Sequence, residues 1–394
     1  MEEWVGLLKG LKMLDLSRLL PGPYCSLLLA DLGMEVLKIE DPELGDYMRG
    51  MGPVRKQESA YFLALNRNKK SMLLNLKVKE GKEIFNRLIN TYDILLEGFR
   101  PGVMDRLGIG YQELKSRNPK IIFCSLSGYG QDGPYKERSG HDINYIGLGG
   151  ILELTGPKDG DPTIPGTQIA DIGGGGMMAA IAILAAIVHR EKTGEGQYLD
   201  VAMHDGVISW LSIHAGRYFV DKELPKRGEM HLSGRYACYQ VYPTKDGRHI
   251  SLGALEPKFW KNFCETIGRE DLVLKQFIEE ERVQIIEEIR ELFKTKTQKE
   301  WVEFFKNVDA CLEPILSLGE VFQHPHVLHR KMVIEYEHPV EGKIRQVGNP
   351  IKSSQFPFEI RTPSPAWGEH TMEALKEIGY SEKEIKYFKE VKAI

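Results

Sequence analysis

Apolar positions along the first third of the chain alternate between two rhythms. The short, β-branched runs "LKMLDLS" (11–17), "MEVLKIE" (34–40), "YDILLEG" (92–98) and "KIIFCSLSG" (120–128) read as strands. "PGPYCSLLLADLG" (21–33) supplies a turn and a helix after the first run, and "VMDRLGIGYQELKSR" (103–117) one helical stretch before the last. Strands alternating with helices predict an α/β fold around a mostly parallel sheet. The order is Rossmann-like. The first strand is nevertheless followed by "LLPGPY" and not GxGxxG, which argues against a standard dinucleotide site.

Residues 172–190 predict one long, apolar core helix, stopped by Gly194 and Gly196. A short strand and another helix follow in "GQYLDVAMHDGVISWLSIHAGRYF". Beyond residue 225 or so the pattern changes. Asp246-Gly247 sits between two strand-like runs as a hairpin turn, and "EPKFWKNFCETIG", "VQIIEEIRELFKT" and "TQKEWVEFFKNV" have helical apolar spacing. The reading is a large α/β domain over 1–224, a small α+β domain over 225–320, and a C-terminal part over 321–394. That part runs through an extended Pro/Ser-rich stretch to a capping box at Ser381–Glu384.

With 394 residues, two units are the default expectation. The formal net charge of −4, from 52 basic and 56 acidic residues, comes with no basic stripe, so no nucleic-acid partner is expected. The five cysteines show no CxxC spacing and read as reduced, mostly buried thiols of a cytoplasmic protein. "MEEWVGLLKGLK" lacks a secretory apolar core, and the uncharged run Ile172 to Val188 is short for a membrane span, so no membrane partner is expected.

Asp171 stands directly before four glycines in "IADIGGGGMM". An acid there is an ordinary helix cap. Glycines are poor helix formers, however, and a run of them suits close approach of a ligand to the backbone, with Gly173 and Gly174 as amide donors to an oxyanion. A carboxylate beside such donors could act as a general base or as an acyl nucleophile. His141, in "SGHDINYIGLGG", follows a polar loop at a predicted strand end, where open α/β sheets bind ligands. It reads either as a structural histidine or as a proton shuttle, with Asp142 free to orient its ring or to cap the next element. Glu256 in "GALEPKFW" precedes Pro257 at a helix start. Arg100 in "EGFRPG" and Arg67, Lys69 and Lys70 in "NRNKKS" are candidates to gather the phosphates of an anionic ligand. GxSxG is absent, which sets aside Ser-His-Asp hydrolysis, and no HExxH-type cluster suggests a metal.

Taken together, "LDLSRLLPGPYCSLLLADLGMEVLKIEDPELGD", "EGFRPGVMDRLGIGY", "SLSGYGQDGPY", "IADIGGGG", "GEGQYLDVAMHDG" and "GEHTMEALKEIGY" resemble the family III CoA-transferase (CaiB/BaiF) superfamily. "GHDINYIGLGGIL", "GALEPKFW" and "DACLEPILSLGEVFQHPH" resemble its α-methylacyl-CoA racemase branch. The resemblance implies an interlocked homodimer whose Rossmann-like large domain uses both chain ends, so that 321–394 returns to it. It implies a CoA thioester as substrate and no permanently bound cofactor. His141 and Asp171 would be the acid/base pair, with Glu256 nearby. Gly98, Phe99, Arg100, Arg106, Leu74 and Lys70 would contact CoA. The implied activity is racemisation of 2-methylacyl-CoA by proton transfer at the α-carbon. The alternative is CoA transfer to a carboxylate with Asp171 as nucleophile, and His141 tilts the choice toward racemisation. Two segments depart from the racemase pattern: Asp41 follows "KIE" where some relatives carry a basic residue, and "LSGRYACY" (232–239) lacks the Gly- and Pro-containing stretch.

Overall fold

The computed structural model describes residues 6–394. The chain divides into two compact units. The first comprises residues 6–150, 165–211 and 329–394, and the second residues 151–164 and 212–328.

The first unit is built on six strands: β1 (Lys12–Asp15), β2 (Glu35–Glu40), β3 (Lys69–Leu73), β4 (Ile94–Glu97), β5 (Ile122–Ser127) and β6 (Tyr198–Ala202). All pair in parallel, in the order β3-β2-β1-β4-β5-β6. β1, β4 and β5 are almost wholly buried, as parallel strands covered on both faces must be. Chain direction across the sheet reverses between β1 and β4, which opens a crevice beyond their carboxyl ends. The stretch 103–117, read as one helix, is two, Val103–Arg106 and Tyr111–Arg117; Gly108 breaks it at φ +72°. The C-terminal helices Thr371–Glu377 and Glu382–Glu390 pack onto the same core through Ala374, Leu375, Ile385 and Phe388. Ser381 caps the last helix as its sequence implies, accepting the Glu384 N–H.

The long apolar helix starts earlier than its pattern suggests and is not buried all round. A π-helical segment, Ile169–Met177, runs directly into the α-helix Met178–Thr193, which Gly194 ends at φ +77°. Ala179, Ile183 and Ala186 face the core, whereas Ile181 and Val188 are 58% and 55% exposed. Length and hydropathy alone would let Ile169–Thr193 cross a membrane, and half of that apolar stretch is packed inside the protein.

The second unit carries the antiparallel sheet β7 (Tyr239–Pro243), β8 (His249–Gly253) and β9 (Leu312–Pro314), with Gly247 at φ +73° in the anticipated hairpin. The amphipathic helices Pro257–Thr266, Arg282–Phe293 and Gln298–Phe304 bury Trp260, Phe263, Phe293 and Trp301 beside it. Both indole N–H groups are satisfied, by the Leu272 and Phe293 carbonyls at 2.9 and 2.8 Å. The compact unit is wider than the 225–320 span read from the pattern. The excursion 151–164 joins it because the Arg227 guanidinium donates to the Glu153 carbonyl at 2.7 Å and Lys158 pairs with Glu229 at 2.7 Å. Back in the first unit, β10 (Val333–His338) and β11 (Gly342–Val347) form an antiparallel hairpin.

Candidate active site

The helix Asp142–Leu148 packs against the π-helical segment, and this contact brings His141 to Asp171. His141 is the N-cap of that helix; its backbone N–H donates to Asn144 Oδ1 at 3.0 Å, and its side chain is solvent-exposed. Asp142 caps neither its own helix nor the next element but the π-helical segment. Its Oδ1 accepts the Ala170 N–H at 2.6 Å and the Asp171 N–H at 3.0 Å. Asp171 is half-buried in the first turn of the π-helical segment. Loss of water around it, then the nearby Asp142 charge, pushes its carboxyl up to about 6, against the opposing effect of His141. A carboxylate poised there is mostly ionised at neutral pH and still basic enough to take a proton.

The glycine run serves a different purpose from the one read in the sequence. A β-carbon on Gly173 would overlap the Trp210 ring, one on Gly174 would lie 2.7 Å from the Met203 carbonyl, and one on Gly176 would lie 2.7 Å from the Pro21 carbonyl. Close approach is therefore to the chain itself. Inside a π-helix the amides of Gly173 and Gly174 point along the axis toward carbonyls five residues back, and those of Ala170 and Asp171 are held by Asp142. The outward oxyanion donors anticipated at Gly173 and Gly174 are thus not formed.

A crevice of about 160 Å³ lies beyond the carboxyl ends of β1 to β4. Arg18, Asp41, Leu74, Lys77, Phe99 and Val103 line it, and the Arg18 guanidinium lies 5.5 Å from the Phe99 ring centroid. Phe99 and Leu74 are therefore brought together, with Gly98 exposed at the start of the same loop. Arg106 is exposed at the end of the Val103–Arg106 helix. Arg100 faces a neighbouring cavity of about 240 Å³ beside Glu97, Asp105 and Tyr198.

The "NRNKKS" cluster turns away from both. Arg67 is buried in a bidentate pair with Asp31, at 3.2 and 2.7 Å, and also donates to Gln346. Lys69 is buried, donates to the Pro23 carbonyl and Asn66 Oδ1, and lies 3.8 Å from Asp15; burial lowers its ammonium to about 7. Lys70 pairs with Glu373 at 2.6 Å and Glu377 at 3.4 Å on the C-terminal helix. The phosphate-gathering reading of Arg67 and Lys69 is corrected accordingly: Arg67 neutralises the buried Asp31, and Lys69 is held by a backbone carbonyl and an amide oxygen beside Asp15. Glu256 is the exposed N-cap of Pro257–Thr266 and belongs to the second unit.

Three residues went unread. Lys77 and Arg18 line the crevice, and Lys77 lies 3.4 Å from Asp41. Their signal was available, since each lies within four residues of a strand end. Tyr145 donates its hydroxyl to the Gly140 carbonyl at 2.6 Å, and its ring fills the space above Gly128 and Gly140. It holds the backbone that leads into His141, and helical i,i+4 spacing in "HDINY" places it there. Among the described residues no three His, Cys, Asp or Glu side chains are grouped to hold a metal ion.

Residues 8–371 match CoA-transferase family III. The chain is 35% identical over 379 residues to succinyl-CoA:glutarate CoA-transferase of Homo sapiens, covering 94% of this chain and 86% of that protein. It is 33% identical over 387 residues to alpha-methylacyl-CoA racemase of Homo sapiens, covering 96% and 95%. The structure resembles that of a CAIB/BAIF family protein from Brucella suis, with TM-score 0.82, 31% identity, and coverage of 95% and 99%. A parallel sheet in this strand order, an acid and a histidine in one corner, and similarity that spans nearly the whole chain converge: the protein is an enzyme of CoA-transferase family III.

Proposed function

We propose that the protein inverts the α-carbon of 2-methylacyl-CoA thioesters. One observation carries this reading: His141 and Asp171 meet in one corner, with the Asp171 carboxyl raised to about 6. One group removes the α-proton as the C–H electron pair moves into the thioester carbonyl. The other returns a proton to the opposite face of the enolate, and the roles exchange with direction. CoA is held at the crevice by Arg18, Lys77 and Phe99, with the exposed Arg100 and Arg106 nearby on the loop and helix that follow β4. Glu256 is assigned a tuning role by the resemblance alone.

A second reading is supported by the 35%-identical CoA-transferase. Here the Asp171 carboxylate attacks the thioester carbonyl, CoA thiolate leaves, and an acyl anhydride forms. CoA thiolate then displaces the donor acid to give an Asp171–CoA thioester. The acceptor carboxylate attacks it, expelling CoA thiolate and forming a second anhydride, and the thiolate takes the acceptor acyl group as the new thioester and frees Asp171. One stereoisomer of a 2-methylacyl-CoA, incubated in heavy water with and without glutarate or succinate, separates the two. Acceptor-independent α-deuteration with loss of stereochemistry supports inversion. Retained configuration with acceptor-dependent CoA transfer, and a hydroxylamine-trapped adduct on Asp171, overturns it in favour of transfer.

The working form is proposed to be the interlocked homodimer implied by the resemblance. Its support is the apolar surface each unit leaves uncovered: Met177, Ile181 and Val188 on one long helix, and Ile213, Phe219 and Val220, the last 86% exposed, on the helix Ser212–Asp221. Light scattering at micromolar concentration should give twice the monomer mass.

A further inference from the structure

The loop after β4 is fastened by a carboxyl group that neither reaction uses. Glu97 ends β4 and is 3% exposed. Its Oε2 accepts the Phe99 N–H at 2.7 Å. Ser125, its register partner on β5, hydrogen-bonds to the same carboxyl, and Tyr198 on β6 donates to Ser125 Oγ at 3.1 Å. The chain Tyr198–Ser125–Glu97–Phe99 therefore ends on the residue whose ring lines the crevice. On the other side of Glu97 is the 240 Å³ cavity lined by Arg100, Asp105, Tyr111, Gln131 and Tyr198. The Gln131 side-chain nitrogen is buried without a hydrogen-bond partner. Glu97 thus has Phe99 and Arg100 from its own loop, Asp105 from the next helix, Ser125 and the neutral Cys124 thiol from β5, and Tyr198 and Asp200 from β6.

We propose that Glu97 is a positioning residue that couples CoA affinity to pH, its charged carboxylate holding the Phe99 amide and hence the Phe99–Arg100 loop in the binding geometry. The inference rests on the CoA reading of the crevice. Two neutral donors reach the carboxylate, and charge-assisted bonds of this kind are about twice as strong as neutral ones. Burial opposes them and pushes the acid up to about 7, with Asp105 and Asp200 adding to the rise. Ionisation of Glu97 therefore falls within the physiological range. The group costs the fold stability in its charged form: its contribution is present below the ordinary carboxylate range and is lost as pH rises through about 7. Holding the loop in place and stabilising the fold accordingly pull in opposite directions at this residue.

The experiment is equilibrium binding of CoA to the full-length protein between pH 6 and pH 8.5, for the wild type and Glu97→Gln. 3′-Dephospho-CoA serves as a second probe, because it lacks the 3′-phosphate whose own ionisation falls in this range. The wild type should bind both probes about 3- to 10-fold more weakly at pH 6 than at pH 8.5. Glu97→Gln should bind them with the weaker, acid-side affinity throughout, and should melt at a higher temperature than the wild type at pH 8. A merely structural role predicts the opposite melting shift. Wild-type affinity and slope in a folded Glu97→Gln variant overturn the inference and leave the CoA reading standing. Failure of the wild type to bind CoA at any pH overturns both.

Discussion

The start of β3 and the loop after β4 are both basic, and in the sequence both suit a phosphate equally well. They end in opposite environments. Arg67 and Lys69 are themselves buried, just before and at the start of β3, so each must find a buried carboxylate or carbonyl. Gly98, Arg100 and Arg106 follow a strand end, where the backbone leaves the sheet and side chains keep water. A basic residue buried at the start of a strand is thus held by internal partners, and an exposed one just past a strand end is available to a ligand.

Substitutions that exchange these roles test the contrast. Arg67→Ala leaves Asp31 buried without its guanidinium and should cost about 3–5 kcal/mol of stability, read by urea unfolding. Any CoA affinity lost in that variant should match only the unfolded fraction; a specific loss at full folding would break the distinction. Gly174→Ala should cost about 2 kcal/mol, because the new methyl meets the backbone carbonyl of Met203, which cannot swing aside. An unchanged melting temperature would show instead that the glycine run makes room for something other than the chain. Arg100→Ala should weaken CoA binding about tenfold, or ~1.4 kcal/mol, with stability held within about 0.5 kcal/mol. Lys70→Ala, which removes a half-exposed surface pair, should change stability by about 0.5 kcal/mol or less and leave CoA affinity intact.

Asp171 and Arg67 make the same point at the chemistry. The Asp171 carboxyl is raised by loss of water around it and then by the Asp142 charge, while the Asp31 side chain is engaged by a guanidinium at 2.7 Å. Activity should fall to half at about pH 6 on the acid side, as Asp171 gains its proton. A raised folded-state value means that the stability Asp171 contributes is present at low pH and lost as pH rises through about 6. Asp171→Asn should therefore be inactive in either chemistry yet more stable at pH 8, by about 1–2 kcal/mol after discounting for its partial exposure. A less stable, inactive Asp171→Asn would point to a structural carboxylate. His141→Ala should abolish α-deuteration with little effect on stability, because the ring is exposed and only the backbone of His141 closes the cap.

Much of the architecture was legible because it depends on local pattern. Apolar, β-branched runs between helices specify a parallel sheet, Asp246-Gly247 specifies a hairpin, Gly194 stops a helix, and Ser381–Glu384 starts one. These are decided within a few residues, where side-chain period and backbone freedom act. The pairing of His141 with Asp171 was legible only through a resemblance, since thirty residues separate them and spacing says nothing about their approach. The reach of the second unit back to 151–164 had no local signal, because it rests on Arg227 and Lys158 meeting partners remote in sequence.

By itself, then, the sequence determined the succession of elements and an evenly charged composition, and it singled out an acid and a histidine as candidates. Only the tertiary structure decided which charges face water. It placed Arg67 and Lys69 inside, left Arg100 and Arg106 outside, filled the glycine run with Trp210 and Met203, and set Glu97 beneath the loop it holds. The physical reason is that the cost of a charge or the use of a glycine depends on what packs against it, and those neighbours come from distant parts of the chain.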